Sequence, residues 1–447
     1  MSQYDYNAIR NMPSASATPE TVGAFVKTAH PVDVAAWLTI LPEVEIAKHL
    51  RRLGAERRAE VFGNIPLETQ IDVARTLSIA DLAAIVTRMD ADDRVDLFNQ
   101  LTQTEQSDLM AQLAEEDRAD IRSLSAYGDG SVGAIMTSDY AVLSREMTAQ
   151  QAIAALRLQA PDTETIYRSY VLDDHRRLIG AMRLHELVLA ADATPVHEIM
   201  ETDPISVSLE ASREDVANVI ARYDLLALPV IDAEGVMLGI VTHDDAADAM
   251  QAEMTEDFQK ISTVLPFSQS MREASIRVLY SKRIVWLALL VFGNLFSGAG
   301  IAYFEETILA YVSLVFFLPL LIDSSGNAGA QSATLMVRAL ATGDVVIKDW
   351  GRLIARELFI AAALGATMAL VVFPVGILRG GSDVALVVGL TMFLVVIIGS
   401  LVGMSLPFLL SRMKMDPATA SGPLVTTISD AVGVLIYFSM ATAILAL

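Results

Sequence analysis

The 447 residues contain no cysteine. This excludes disulfides and thiolate metal centres, and with them most zinc readings. Basic residues are scarce: 32 Lys and Arg stand against 54 Asp and Glu, for a net charge of −22. That balance argues against nucleic acid as a partner. The polar start, Met1-Ser-Gln-Tyr-Asp-Tyr, lacks a basic-then-apolar leader, so no cleavable signal peptide is expected. From residue 281 onward the two signs balance, nine of each, and the whole acidic surplus lies in the first 280 residues. The length fits three or more domains, divided between an acidic soluble part and a neutral apolar part.

Four uncharged or nearly uncharged apolar spans fill the second part: Ile284–Phe304, Leu358–Leu378, Val384–Leu410 and Ala418–Leu447. A fifth, Ile308–Leu340, is interrupted by the small and polar run Asp323–Gln331. Since roughly 20 residues span a bilayer as a straight helix, the fifth is expected to be broken or to extend past the membrane. Five crossings result. Arg272, Arg277, Lys282 and Arg283 precede the first crossing. Arg338, Lys348, Arg352 and Arg356 follow the second, and Arg412 and Lys414 follow the fourth, whereas the opposite side carries only Arg379. The positive-inside bias predicts a multi-pass protein of the cytoplasmic membrane, N-terminal domains inside and C-terminus outside.

Within the last span Asp430 is the single charge. A carboxylate at membrane depth must face water, a partner or an ion, which makes it a candidate permeation site. The alternative is a carboxylate hydrogen-bonded inside a helix bundle. Small and side-chain-oxygen residues cluster in two places, Asp323-Ser-Ser-Gly326-Asn327-Ala-Gly329-Ala-Gln331 and Ser421-Gly-Pro-Leu-Val-Thr426-Thr427-Ile-Ser-Asp430. Close helix packing accounts for the small residues, but not equally for Asn327 and Asp430.

The acidic part opens with a twelve-residue repeat. Apolar anchors fall at Leu41, Leu53, Ile65, Leu77, Met89, Leu101 and Leu113, with a second set at Val61, Val73, Ile85, Leu97, Leu109 and Ile121. Twelve residues hold one short capped helix and its turn, and such units must stack to bury a face. The run Asp90-Ala-Asp92-Asp93-Arg-Val-Asp96 places four carboxylates at a helix start, where they complement the helix dipole or serve a hard divalent cation. A second repeat follows: Ile135-Met136 is echoed by Ile199-Met200, and Tyr170-Val-Leu-Asp173 by Pro229-Val-Ile-Asp232. Each copy reads strand, helix (Thr148–Arg157; Arg213–Tyr223), strand, turn, strand, helix. The two together resemble a tandem pair of CBS domains. In that family adenine nucleotides, ATP among them, meet a Gly-x-x-Thr-x-x-Asp pattern, which Gly239, Thr242 and Asp245 match; the first copy has Arg183 and Glu186 instead. Next come Asp245, Asp248, Glu253, Glu256 and Asp257 on a mostly helical segment, spaced so that they can crowd one flank.

Taken with Gly326-Asn327-x-Gly329-x-Gln331, Arg338-Ala-Leu-Ala-Thr-Gly343 and Ser421-Gly-Pro-x-Val-Thr-Thr427…Asp430, the chain resembles the MgtE family of magnesium channels over nearly its full length. Ser325 departs from the family, which often has a glycine there. The resemblance implies a multi-domain membrane protein. Its expected parts are a flexible tail (1–20), an all-α superhelical N-terminal domain (21–130), α/β tandem CBS domains (131–251), a connecting plug helix (252–280) and a five-helix pore domain (281–447). It implies a homodimer in the lipid bilayer, with Asp430 holding hydrated Mg2+ and Asn327, Thr426, Thr427 and Asp323 lining the path. It also implies regulatory Mg2+ at Asp93, Glu214, Asp224, Asp245, Asp248, Glu253, Glu256 and Asp257.

On this reading the protein is no enzyme. It imports Mg2+ and closes when cytosolic Mg2+ neutralises the acidic domains. Carriage of Co2+ or Mn2+ by the same fold is one alternative, and a membrane-anchored, nucleotide-sensing CBS protein is another. An intramembrane aspartyl protease built on Asp323 and Asp430 would need a second catalytic sequence, which is not found.

Overall fold

The computed structural model describes residues 13, 19–128, 130–267 and 274–445, so the tail expected over 1–20 lies almost wholly outside the described residues. The chain divides into two compact units, Met1–Met250 and Gln251–Leu447.

The first unit begins with the twelve-residue repeat, and its helices keep that period. They start at Pro31, Glu43, Ala55, Leu67, Ile79, Ala91, Gln103 and Glu115. Turn chemistry separates them. Ser78 caps one helix by accepting from the Asp81 N–H, and Thr102 forms a reciprocal capping box with Glu105. Helices of 8 to 10 residues cannot stand alone in water. Each therefore packs on the helix two positions away, and Val61, Val73, Ile85, Leu97, Leu109 and Ile121 become fully buried.

The second repeat folds as expected into two copies of one topology. Tyr140–Leu143 pairs parallel with Thr165–Leu172, which pairs antiparallel with Leu178–Arg183. Val207–Ser208, Ala227–Ile231 and Met237–Thr242 repeat that order. The helices between parallel strands, Ala149–Gln159 and Arg213–Tyr223, supply the crossover such pairing requires. Bridges Thr137–Ile240 and Arg177–Val236 tie the copies together.

In the second unit, three stretches among the described residues are long and apolar enough to cross a membrane: Ile276–Tyr303, Ile347–Arg412 and Gly422–Leu445. The 66 residues of the middle one would extend about 99 Å as one helix, far beyond a ~30 Å hydrocarbon core. It doubles back at Gly381, whose φ of 81° suits glycine and few other residues. Gly376 then lies against Ala385, and Gly365 against Phe393.

Two expectations need adjustment. The span expected to be broken or to extend past the membrane is not broken at Asp323–Gln331: the helix Ser313–Ala341 runs through that stretch for 29 residues, and the interruption comes earlier, between Glu305–Ala310 and Ser313. The small residues serve helix contact rather than unwinding. The Ser324 hydroxyl donates to the Leu320 carbonyl (2.7 Å) and that of Ser325 to the Val395 carbonyl (3.0 Å). Gly329 lies against Gly399 and Gly403, where an added Cβ on Gly403 would collide with the Gly329 oxygen. Ser325, the departure from the family pattern, therefore has a partner of its own. The connecting helix is also shorter than the expected 252–280: it spans His243–Ile261, and the next helix opens at Ile276 behind the Ser275 cap.

Candidate functional site

In the membrane unit, Asp430 stands on the last helix where Gly326 lets a second helix come close. A Cβ on Gly326 would lie 2.9 Å from the Thr426 methyl and 3.5 Å from an Asp430 carboxylate oxygen. One turn before Asn327 sits Asp323, and the Asn327 amide donates to its carboxylate at 3.0 Å. Asp323 and Asp430 are near enough for their charges to interact. Thr426 and Thr427 both donate their hydroxyls to the Pro423 carbonyl, at 2.9 Å each. Their methyls part company: Thr426 faces Gly326, while Thr427 faces Gly293 on the first membrane helix. The structure thus groups Asp430, Thr426, Asn327 and Asp323, and sets Thr427 into an apolar cavity of about 470 Å3 with Leu289, Phe292 and Phe296.

Along Ser313–Ala341 the exposed residues include Asp323, Asn327, Gln331, Thr334 and Arg338. Spacings of three and four put them on one helical stripe. A polar stripe bare to lipid is costly, so something must cover it.

In the first unit the helix starting at Ala91 presents Asp92 and Asp93 to Asp245 and Asp248 at the start of His243–Ile261. Glu164, just ahead of a CBS strand, joins them, with Asp90, Asp139 and Asp244 near enough to add their charges. Burial, then the neighbouring carboxylates, pushes Asp92 up to about 8, Asp93 to about 7 and Glu164 to about 8. Burial likewise raises Asp245, against a hydrogen bond from the Thr242 hydroxyl. Among the described residues no Lys or Arg pairs with Asp92, Asp93 or Glu164, and no three of these ligands close into a ready metal site. Arg94 is buried against Asp117 (3.6 Å) and Asp120 (3.4 Å) and touches the cluster at its edge, through Asp139 (3.9 Å). The acidic run singled out Asp92 with Asp93, and the resemblance singled out Asp245 and Asp248; the structure groups these four with Glu164. Glu164 had no signal in the sequence, because it belongs to no motif. Glu214 and Asp224 are not brought together, since they stand at opposite ends of one helix, about 15 Å apart along its axis.

In the second unit Lys260 bridges Glu256 (2.7 Å) and Asp416, which lies in the loop before the last helix. Burial opposes the charge on Lys260, but its bonds to Asp416 and Glu256 outweigh that and hold its pKa above the usual value. Burial and nearby Asp416 raise Asp257 to about 6. Ile261, one residue on, packs with Val337, Ala418 and Ala420.

With this geometry established, similarity to known proteins becomes informative. Residues 318–440 match the family model of the MgtE divalent cation transporter, 29–130 the MgtE intracellular N domain and 196–252 the CBS domain. The magnesium transporter MgtE of Thermus thermophilus is 36% identical over 408 residues, 91% of this chain and 89% of that one. That of Bacillus subtilis is 34% identical over 417 residues, covering 92% and 91%. A crystal structure of the cytosolic domain of the Mg2+ channel MgtE in complex with ATP is 32% identical. It covers 52% of this chain and 94% of that one, at a TM-score of 0.49.

Proposed function

The chain belongs to the MgtE family of magnesium transporters, and from that premise we propose that it is a Mg2+-selective channel that admits magnesium and closes when cytosolic Mg2+ is high. The observation that carries the conducting part is the convergence of Asp430, Thr426, Asn327 and Asp323 beside an uncovered polar stripe. A second copy seated on that stripe would cover it and bring two Asp430 side chains to one path. Mg2+ sheds water reluctantly and is commonly held through its waters by one or two carboxylates, which suits so sparse a site. Five crossings follow if Gly381 marks a turn outside the bilayer and Ser313–Ala341 spans it. The basic flanks put the N-terminal domains in the cytoplasm and the C-terminus outside.

For the closing part, Asp92, Asp93 and Glu164 are packed carboxylates that make no ion pair with a Lys or Arg among the described residues. Hydrated Mg2+ ions among Asp92, Asp93, Glu164, Asp245 and Asp248 would remove their repulsion and favour the compact arrangement. A ligand shifts such an equilibrium only by its differential affinity for the two states, and here the open state lacks the crowded site. The helix carrying Asp245 and Asp248 continues to Glu253, Glu256, Asp257 and Lys260. Glu256→Gln with Asp257→Asn is expected to raise the Mg2+ concentration needed for inhibition by about fivefold or more. Unchanged inhibition would count against this helix as the gate. An adenine nucleotide at Gly239 and Thr242 would share Asp245 with the cluster, so ATP and regulatory Mg2+ would be coupled there.

The test is Mg2+ entry into liposomes holding the purified protein, read with an internal Mg2+ indicator. Influx that Co2+ and Mn2+ compete with only weakly supports the reading. Equal passage of all three moves the assignment to a general divalent cation path, and no flux leaves a nucleotide-sensing anchor.

A further inference from the structure

The helix Trp350–Arg412 folds back on itself, so its first and last residues meet at one edge of the membrane unit. Between them opens a cavity of about 450 Å3 whose lining includes Ile347, Trp350, Val402, Ser405, Leu406, Leu409 and Arg412. Arg412 is the single charged residue of that lining. Among the described residues neither its guanidinium nor the Trp350 indole makes an ion pair or hydrogen bond. The apolar surface continues outside, where Val346, Ile347, Trp350, Leu409 and Met413 are 47–60% exposed. None of these residues belongs to the group around Asp430.

We propose that this groove binds an anionic phospholipid, one acyl chain lying along Val402, Leu406 and Leu409 and the phosphate held between Arg412 and the Trp350 N–H. Three features select that occupant. The groove is bordered by exposed apolar side chains, its lining is apolar apart from Ser405, Trp350 and Arg412, and those last two offer an indole donor and a cation at a basic helix end. Tryptophan is favoured at that depth because its ring is apolar and its N–H is polar. A basic pocket between membrane helices selects anionic headgroups over neutral ones. Arginine also grips phosphate oxygens two at a time, which a neutral side chain cannot do.

The groove carries its own fluorophore: the chain's other tryptophans are Trp37 and Trp286, and a double Trp→Phe variant leaves Trp350 as the single indole. The full-length Trp37→Phe, Trp286→Phe protein is placed in vesicles containing equal fractions of brominated phosphatidylglycerol or brominated phosphatidylcholine, and Trp350 emission is followed. Preferential quenching by the anionic lipid is expected, with a relative affinity near fivefold, as about 1 kcal/mol per basic residue gives. Arg412→Gln should abolish the preference, and Arg412→Lys should keep much of it. Equal quenching by both lipids, or a preference that survives Arg412→Gln, overturns the proposal. So does displacement by millimolar inorganic phosphate, which would mark a free-anion site, or Trp350 shielded from both lipids, which would mark a second copy over the groove.

Discussion

Asp430→Asn is expected to reduce Mg2+ flux in liposomes by on the order of a hundredfold or more while leaving the protein folded. The substitution keeps the shape of the side chain, so the contact with Gly326 and Thr426 survives. It removes the charge that orients the waters around a passing ion. A hydrogen bond to a charged group contributes about 1.5–3 kcal/mol, and a dimer would lose it from both copies. At about 1.4 kcal/mol per factor of ten, the smaller figure taken twice already exceeds a hundredfold. Asp323→Asn serves as the internal comparison. One of its oxygens already accepts from Asn327, so it is less free for an ion, and the loss should stay within about tenfold. Equal losses at the two positions would move the principal site from Asp430 to the pair. An Asp430→Asn protein that conducts like the parent would remove the ion-holding role of this carboxylate altogether.

The parts of this molecule that were legible in the sequence are those governed by local rules. The twelve-residue helical period, the helix Arg213–Tyr223 and the order of strands and helices in each copy of the second repeat follow from apolar spacing and turn chemistry, while the CBS topology came from the resemblance. Asp430 was legible because hydrocarbon makes a lone charge conspicuous. What escaped was set by tertiary approach. Asp323–Gln331 reads as a helix breaker by composition, yet Ser325 and Gly329 are spent on helix contact with Gly399 and Gly403, and Gly326 on contact with Thr426. Lys260 and Asp416 lie 156 residues apart, and no pattern along the chain joins them. Glu164 becomes part of the acidic cluster only because a CBS strand carries it there. The split between Thr426 and Thr427 is likewise invisible along the chain, since adjacent residues on a helix point about 100° apart and meet different neighbours.

The acidic cluster should make the stability of the protein depend on pH in a direction opposite to that of most carboxylates, and Mg2+ should erase the dependence. Asp92, Asp93 and Glu164 have folded-state pKa values raised to about 8, 7 and 8, above the ordinary 3.8 and 4.5. A raised carboxylate favours the folded state below its ordinary pKa, and that contribution is lost as pH climbs through the folded value. Without divalent cations the thermal midpoint of the first unit's transition should therefore fall between about pH 5 and pH 8 and level off above. Added Mg2+ should restore it at pH 8 and do little at pH 5, where protons already occupy the same oxygens. In the triple variant Asp92→Asn, Asp93→Asn, Glu164→Gln most of that repulsion is removed, while Asp90, Asp139 and Asp245 keep raised carboxylates. Its midpoint should depend on pH and on Mg2+ much less than the parent's, and the Mg2+ concentration that half-inhibits flux should rise on the order of tenfold, within the range that site-to-site coupling commonly reaches. Calorimetry of the full chain at pH 5 and pH 8, with and without Mg2+, checks the first part, and liposome flux checks the second. A wild-type midpoint that rises from pH 5 to pH 8 in the absence of Mg2+ would mean that these carboxylates are paired or solvated, and the closing mechanism would have to rest on other residues.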